Sequence, residues 1–154
     1  MKYIIQYILV SILLLLSTFA AWYEGSAIRY YPEEWKNTAL FSRVLNGEII
    51  NSSEISQLDH FIYAAKFTPL YPTLIILCLS YIIILSGYML FKNNMKKITI
   101  FYLSIGALYI FLGITVSNSS TIGGRYMTMT FVTVGIINLS LVFLSFLSMK
   151  KNMS

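Results

Sequence analysis

Four stretches of the chain carry no charged side chain for long enough to cross a bilayer, which takes roughly 20 apolar residues per helix. They cover residues 4–22, 70–91, 98–116 and 127–148. Each is continuously apolar, whereas barrel strands alternate over about 10 residues, so helices are expected. A helix satisfies its own backbone in hydrocarbon, which an open strand or loop cannot do. The pattern therefore predicts an all-α membrane protein: a four-helix transmembrane bundle with a two-helix extracytoplasmic cap between spans one and two.

The cap, residues 23–66, follows a different pattern. It is too long for a plain connector, since structureless loops beyond roughly 15 residues are uncommon in compact domains. Pro32 with Glu33 and Glu34 suits a helix start, with proline in the first turn and acids at the positive end of the dipole. Leu40, Phe41, Val44 and Leu45 then form one apolar face at helical spacing. Asn46-Gly47 supplies a stop. A second helix is expected from Ser52 or Ser53, either a good cap, with Ile55, Leu58, Phe61, Ile62 and Ala65 on its apolar face. Both apolar faces are expected to pack on the span ends. Pro69 and Pro72 should bend or restart the helix where the second span begins.

The remaining connections are an inner loop, 92–97, and an outer turn, 117–125, so residues 1–154 read as a single membrane domain. Lys2, the run Ile4–Leu16 and Thr18-Phe19-Ala20 also admit a secretory signal cleaved after Ala20. Continuation of the apolar run to Trp22 favours an uncleaved anchor.

Composition agrees with the pattern. Of 154 residues, 57% are hydrophobic and 11% charged, against about a quarter charged in soluble domains. Mean hydropathy is +0.72. A single cysteine, Cys78, excludes an internal disulfide, and a single histidine, His60, excludes a His-rich metal site. The net charge of +5 does not point to nucleic acid once its distribution is followed. Glu24, Glu33, Glu34, Glu48, Glu54 and Asp59 all fall in the cap, which Arg29, Lys36, Arg43 and Lys66 bring to a net −2. Lys2, Lys92, Lys96, Lys97, Lys150 and Lys151 share the other side with no acid. Short Lys-rich connections stay in the cytoplasm, so both termini and the 92–97 loop are expected inside a cell membrane. Trp22, Tyr23, Tyr71 and Tyr126 fall at the opposite edge, where amphipathic rings favour the headgroup level.

Little chemistry is written in the spans. None contains an ionisable residue of the kind that marks ion or proton pathways. Asn138, mid-span, is expected to hydrogen-bond across to another helix, and Gly106 and Gly113, seven residues apart, to form a close-packed seam. Gly123 and Gly124 beside Arg125 could cradle an anion or a cap carboxylate, although a plain turn suffices. Asp59 and His60 are adjacent, yet neighbours on a helix diverge by about 100° and cannot form a dyad. His60 is expected at a surface or interface. No catalytic residue, cofactor site or metal site is assigned.

The segments Ala20-Ala21-Trp22-Tyr23-Glu24-Gly25-Ser26-Ala27, Glu34-Trp35-Lys36, Ser56-Gln57-Leu58-Asp59 and Tyr63-Ala64-Ala65-Lys66-Phe67 resemble an uncharacterised family of small four-span membrane proteins of Gram-positive bacteria. The resemblance covers the first half of the chain. It implies a bacterial cytoplasmic membrane and carries over no catalytic residue. The function expected is that of a non-enzymatic accessory protein whose outer cap engages a partner protein or a lipid. Trp22, Tyr23, Glu24, Arg29, Tyr30, Tyr31, Trp35 and Arg125 are the expected contact residues, because aromatic and arginine side chains concentrate binding energy. The partners expected are the bilayer and another membrane or extracytoplasmic protein, not nucleic acid. The alternative is a membrane-embedded enzyme or small-molecule transporter using cap carboxylates and a polar cavity near Asn138 and Tyr109.

Overall fold

A computed structural model describes residues 2–151, and side chains over 3–147. The charges of Lys2, Lys150 and Lys151, on which the orientation partly rests, lie outside the described side chains. Seven α-helices occur among the described residues: α1 (Lys2–Gly25), α2 (Trp35–Thr38), α3 (Leu40–Asn46), α4 (Gln57–Phe67), α5 (Leu70–Phe91), α6 (Met95–Ser117) and α7 (Ile122–Lys151). Short 3₁₀ turns at Ser26–Tyr30, Pro32–Glu34 and Ser52–Glu54 complete the cap. Helices α1, α5, α6 and α7 are long and apolar enough to cross a membrane.

The four long helices are not equivalent. α6 and α7 form the tightest pair, closing from Tyr102 and Val142 at one end to Gly113 and Val132 at the other. α1 packs on α5 and makes little contact with α6 or α7. The Tyr7 hydroxyl and Ser86 Oγ lie 2.7 Å apart across the α1–α5 pair. α5 joins the two pairs: Ser80 Oγ meets the Tyr109 hydroxyl of α6 at 2.6 Å. Isoleucines and leucines of α1 from Ile4 to Leu16 other than Leu14, with Phe19, are exposed. So continuous an apolar surface would not be tolerated in water and suits lipid.

Serines and threonines within these helices mostly turn back on their own backbone. Thr18, Ser80, Ser86, Thr99, Thr130 and Ser145 each donate to the carbonyl four residues earlier. This removes the cost of an orphaned hydroxyl and needs no partner helix.

The cap differs from the sequence expectation in its breaks. The first expected helix is interrupted at Ala39, whose φ −89° and ψ 56° leave the helical region between α2 and α3. The second begins at Gln57, later than Ser52 or Ser53: Asn51 and Glu54 close a separate capping box, and Ser56 caps α4 by accepting from the Leu58 amide at 3.3 Å. Gly47, at φ 80°, ends α3 in a conformation that residues with a Cβ rarely adopt.

α4 lies across one end of the spans, in contact with α1, α5 and α7. Two glycines allow this close seating. A Cβ on Gly25 of α1 would fall 1.8 Å from the His60 carbonyl oxygen, and one on Gly123 of α7 would fall 1.8 Å from that of Ala65. Gly123 therefore seats the C-terminal carbonyls of α4 against the first turn of α7. This brings the negative end of one helix dipole to the positive end of another.

Candidate functional site

The cap core is small: Ile28, Ala39, Ile55 and Tyr63, flanked by Ala27, Trp35 and Ile49. A polar lock beside it fixes the cap's shape. Asp59, fully buried on α4, accepts from the backbone amides of Phe41 and Ser42 at 2.8 and 2.9 Å, and from the Ser42 hydroxyl. It thus caps the N-terminus of α3 from a distant helix, where a negative charge meets orphan amides and the positive dipole end. Ser42 Oγ in turn accepts from the Ser56 amide at 2.6 Å.

This lock turns α3 inside out. Ser42 and the preceding Ala39 face inward, while Leu40, Phe41, Val44 and Leu45, the expected inward face, are exposed. Val44 is 86% and Leu45 75% exposed, and nearby Ile50 is 79% exposed. α3 packs on α2 and α4. The expectation that both cap helices lay their apolar faces on the span ends therefore fails for α3. α4 rests on the spans with Asp59, His60, Tyr63 and Ala64 buried, while Leu58 of its expected apolar face is exposed and Phe61, Ile62 and Ala65 are half-buried. Hydrogen bonds and charge at the α3 terminus outweigh burial of one short apolar face.

His60, expected at a surface or an interface, lies where α4 meets α1. It is fully buried, its ring lies 5.8 Å from that of Trp22, and neither ring nitrogen has a hydrogen-bond partner. Burial holds its pKa below the ordinary 6.5, and Arg29 adds to this. The Trp22 backbone and Asp59 pull the other way without bonding the ring. A neutral imidazole suits such a site, because a buried cation without a partner is costly. The Tyr63 hydroxyl is pushed above its ordinary 10.0 by burial, then by Tyr31, Glu34 and Glu33.

The expected contact residues divide into two groups. Trp35 is half-buried, with its indole N–H donating to the Ile28 carbonyl at 2.9 Å, so it holds the cap together. Trp22 donates to Gln57 Oε1 at 2.6 Å and covers His60. Tyr31 stacks on Tyr63 with ring centroids 6.3 Å apart. Tyr23 and Tyr30 are 74% and 82% exposed, and Arg29 is also exposed. Glu24 is half-buried at the end of α1, and Arg125 is exposed in the first turn of α7. Among the described residues one ion pair forms, Lys66 to Glu34 at 2.6 Å, with Lys66 also over the Phe67 ring.

Within the spans, Gly106 and Gly113 are buried where α6 meets α7. A Cβ on Gly106 would touch Asn138 and Leu139, and one on Gly113 would press on Val132 at 2.9 Å. Asn138 is fully buried, but its amide donates to Val134 of its own helix at 2.9 Å, not across to α6, and its oxygen has no partner. The Tyr109 hydroxyl is engaged by Ser80. Among the described residues, no group of three or more His, Cys, Asp or Glu could hold a metal ion.

Sequence reasoning missed Gly25, Ser42 and the reach of Asp59. Ser56-Gln57-Leu58-Asp59 carries the capping pattern of a serine followed three residues later by an acid. That signal marks Ser56 as a helix start, but gives no hint that Asp59 caps a different helix.

Uncharacterized protein YjdJ of Bacillus subtilis (strain 168) is 39% identical over 64 residues. The match covers 40% of this chain and 59% of that protein's length. No solved structure matches the chain. The profile of a family described as Domain of unknown function (DUF4306) matches residues 4–91, the segment holding α1, the cap and α5. With more than half of its length matched, the chain belongs to this family.

Proposed function

We propose that this is a non-enzymatic protein of the cell membrane whose cap, on the extracytoplasmic side, docks a partner protein. Both termini then lie in the cytoplasm, in keeping with the placement of Lys and Arg. The observation that carries the reading is the outward apolar face of α3, Leu40, Phe41, Val44 and Leu45, with Ile50 beside it. Such a face at the tip of a cap marks an interaction surface when it is held there by design, and the Asp59 lock holds it so. Exposed Arg29, Tyr23 and Tyr30 supply the residue types that dominate docking energetics.

Site-specific photocrosslinking at Val44 in intact cells tests this. The expected result is one discrete protein adduct, lost in the Val44→Asp/Leu45→Asp variant and weakened in Arg29→Ala at unchanged expression. Adducts to lipid alone, or an adduct pattern unchanged by these substitutions, would overturn it. Labelling of a cysteine placed at Glu48 by an impermeant reagent from outside the cell tests the orientation separately.

A further inference from the structure

The ends of α1, α5 and α7 border a groove of about 400 Å³. Glu24 of α1 lines it, together with Thr68, Leu70 and Thr73 at the start of α5 and Ile122 and Tyr126 at the start of α7. All three helices are apolar spans that terminate here. In a bilayer the groove therefore sits at the headgroup level, with its walls continuing onto exposed Leu77 of α5 and Met129 of α7.

The groove's chemistry is selective. Glu24 is its one charged wall residue, and among the described residues no basic side chain pairs with it. A half-buried carboxylate at the edge of a span is stabilised by a cation. Tyr126 offers an exposed aromatic ring on the facing helix, and a carboxylate with an aromatic face is a combination that suits ammonium groups. The volume is that of a small-molecule site.

We propose that this groove binds the ammonium group of an amphiphile, with Glu24 as counter-charge, Tyr126 as aromatic wall, and Leu70 and Ile122 flanking the start of its apolar chain. Phosphatidylethanolamine combines these features; phosphatidylglycerol shares the chains and phosphate but lacks the ammonium. The site is independent of the α3 docking face and of its outcome.

Native mass spectrometry of the full chain, released from vesicles containing both lipids equally, tests the assignment. Phosphatidylethanolamine should be retained preferentially, and Glu24→Gln should lower its retention about tenfold, the scale of one charge-assisted contact. Tyr126→Leu should lower it less, and Glu48→Gln, at an exposed cap acid, should leave it unchanged. Displacement by excess ethanolamine would extend the site to free amines, whereas persistence would restrict it to the lipid; both support an ammonium site. Equal retention of the two lipids by the unsubstituted protein, or undiminished retention in Glu24→Gln, would overturn it.

Discussion

The carboxylate of Asp59 accepts both the amide and the hydroxyl of Ser42, joining α4 to the N-terminus of α3 across a sequence gap of 17 residues. Because Asp59 and Ser42 are both fully buried, removing the carboxylate leaves two amides and a hydroxyl without water to replace it. Asp59→Ala should destabilise the cap by about 3 kcal/mol, combining a lost charged hydrogen-bond acceptor and a lost helix cap. Asp59→Asn, which keeps one carbonyl acceptor, should cost less. The chain's two tryptophans both lie in or against the cap, so their fluorescence during thermal unfolding reads the difference directly.

Acidification should loosen the cap through His60. Its folded pKa lies below the unfolded value of 6.5, so the unfolded chain binds the proton first. The neutral His60 contribution is present in full above pH 6.5 and is lost as pH falls from there toward the folded pKa. The unfolding midpoint followed by tryptophan fluorescence should fall between pH 7 and pH 5. In His60→Phe, which keeps a ring against Trp22, that fall should be smaller. An equal fall in both proteins would assign it to other groups.

The seating of α4 on the spans should be intolerant of a single methyl group. In Gly25→Ala the new Cβ would meet backbone, the His60 carbonyl, which has no rotamer by which to move aside. A loss of about 2–3 kcal/mol is expected, the upper range for overpacking. Gly106→Ala meets the side chains of Leu139 and Asn138 at 3.2–3.3 Å, which need shift only slightly. Thermal midpoints in detergent should therefore rank Gly106→Ala well above Gly25→Ala.

The cross-helix hydroxyl contacts should contribute modestly. Ser80 retains its bond to the Ile76 carbonyl if Tyr109 loses its hydroxyl, and Ser86 retains Ile82 if Tyr7 does. Tyr109→Phe and Tyr7→Phe should each cost about 0.6 kcal/mol, typical of interhelical hydrogen bonds in membranes. A double-mutant cycle of Tyr109→Phe with Ser80→Ala isolates the pairwise part.

Much of the architecture is legible in the chain because it rests on local, additive properties. Uninterrupted apolar runs of sufficient length require helices, and four of them appear as α1, α5, α6 and α7. Gly47 stops α3 as its lack of a Cβ predicts. The pattern failed where a local preference competed with a distant partner. Periodicity assigned Leu40, Phe41, Val44 and Leu45 to a buried face, yet α3 is oriented by Asp59, whose influence no local window contains. His60 read as a surface or interfacial residue, because a polar side chain alone does not disclose that Trp22 and Gly25 will close over it.

The sequence by itself determined which segments are helical and apolar, and how charge divides between the two sides of the spans. These follow from composition over windows of tens of residues. Tertiary structure alone decided which way α3 faces, that α4 rests on Gly25 and Gly123, and that Glu24 shares a groove with Tyr126. Each of these depends on residues far apart in the chain meeting within a few ångströms. Their free energy is set by geometry and desolvation at the contact, and neither quantity exists until the helices have packed.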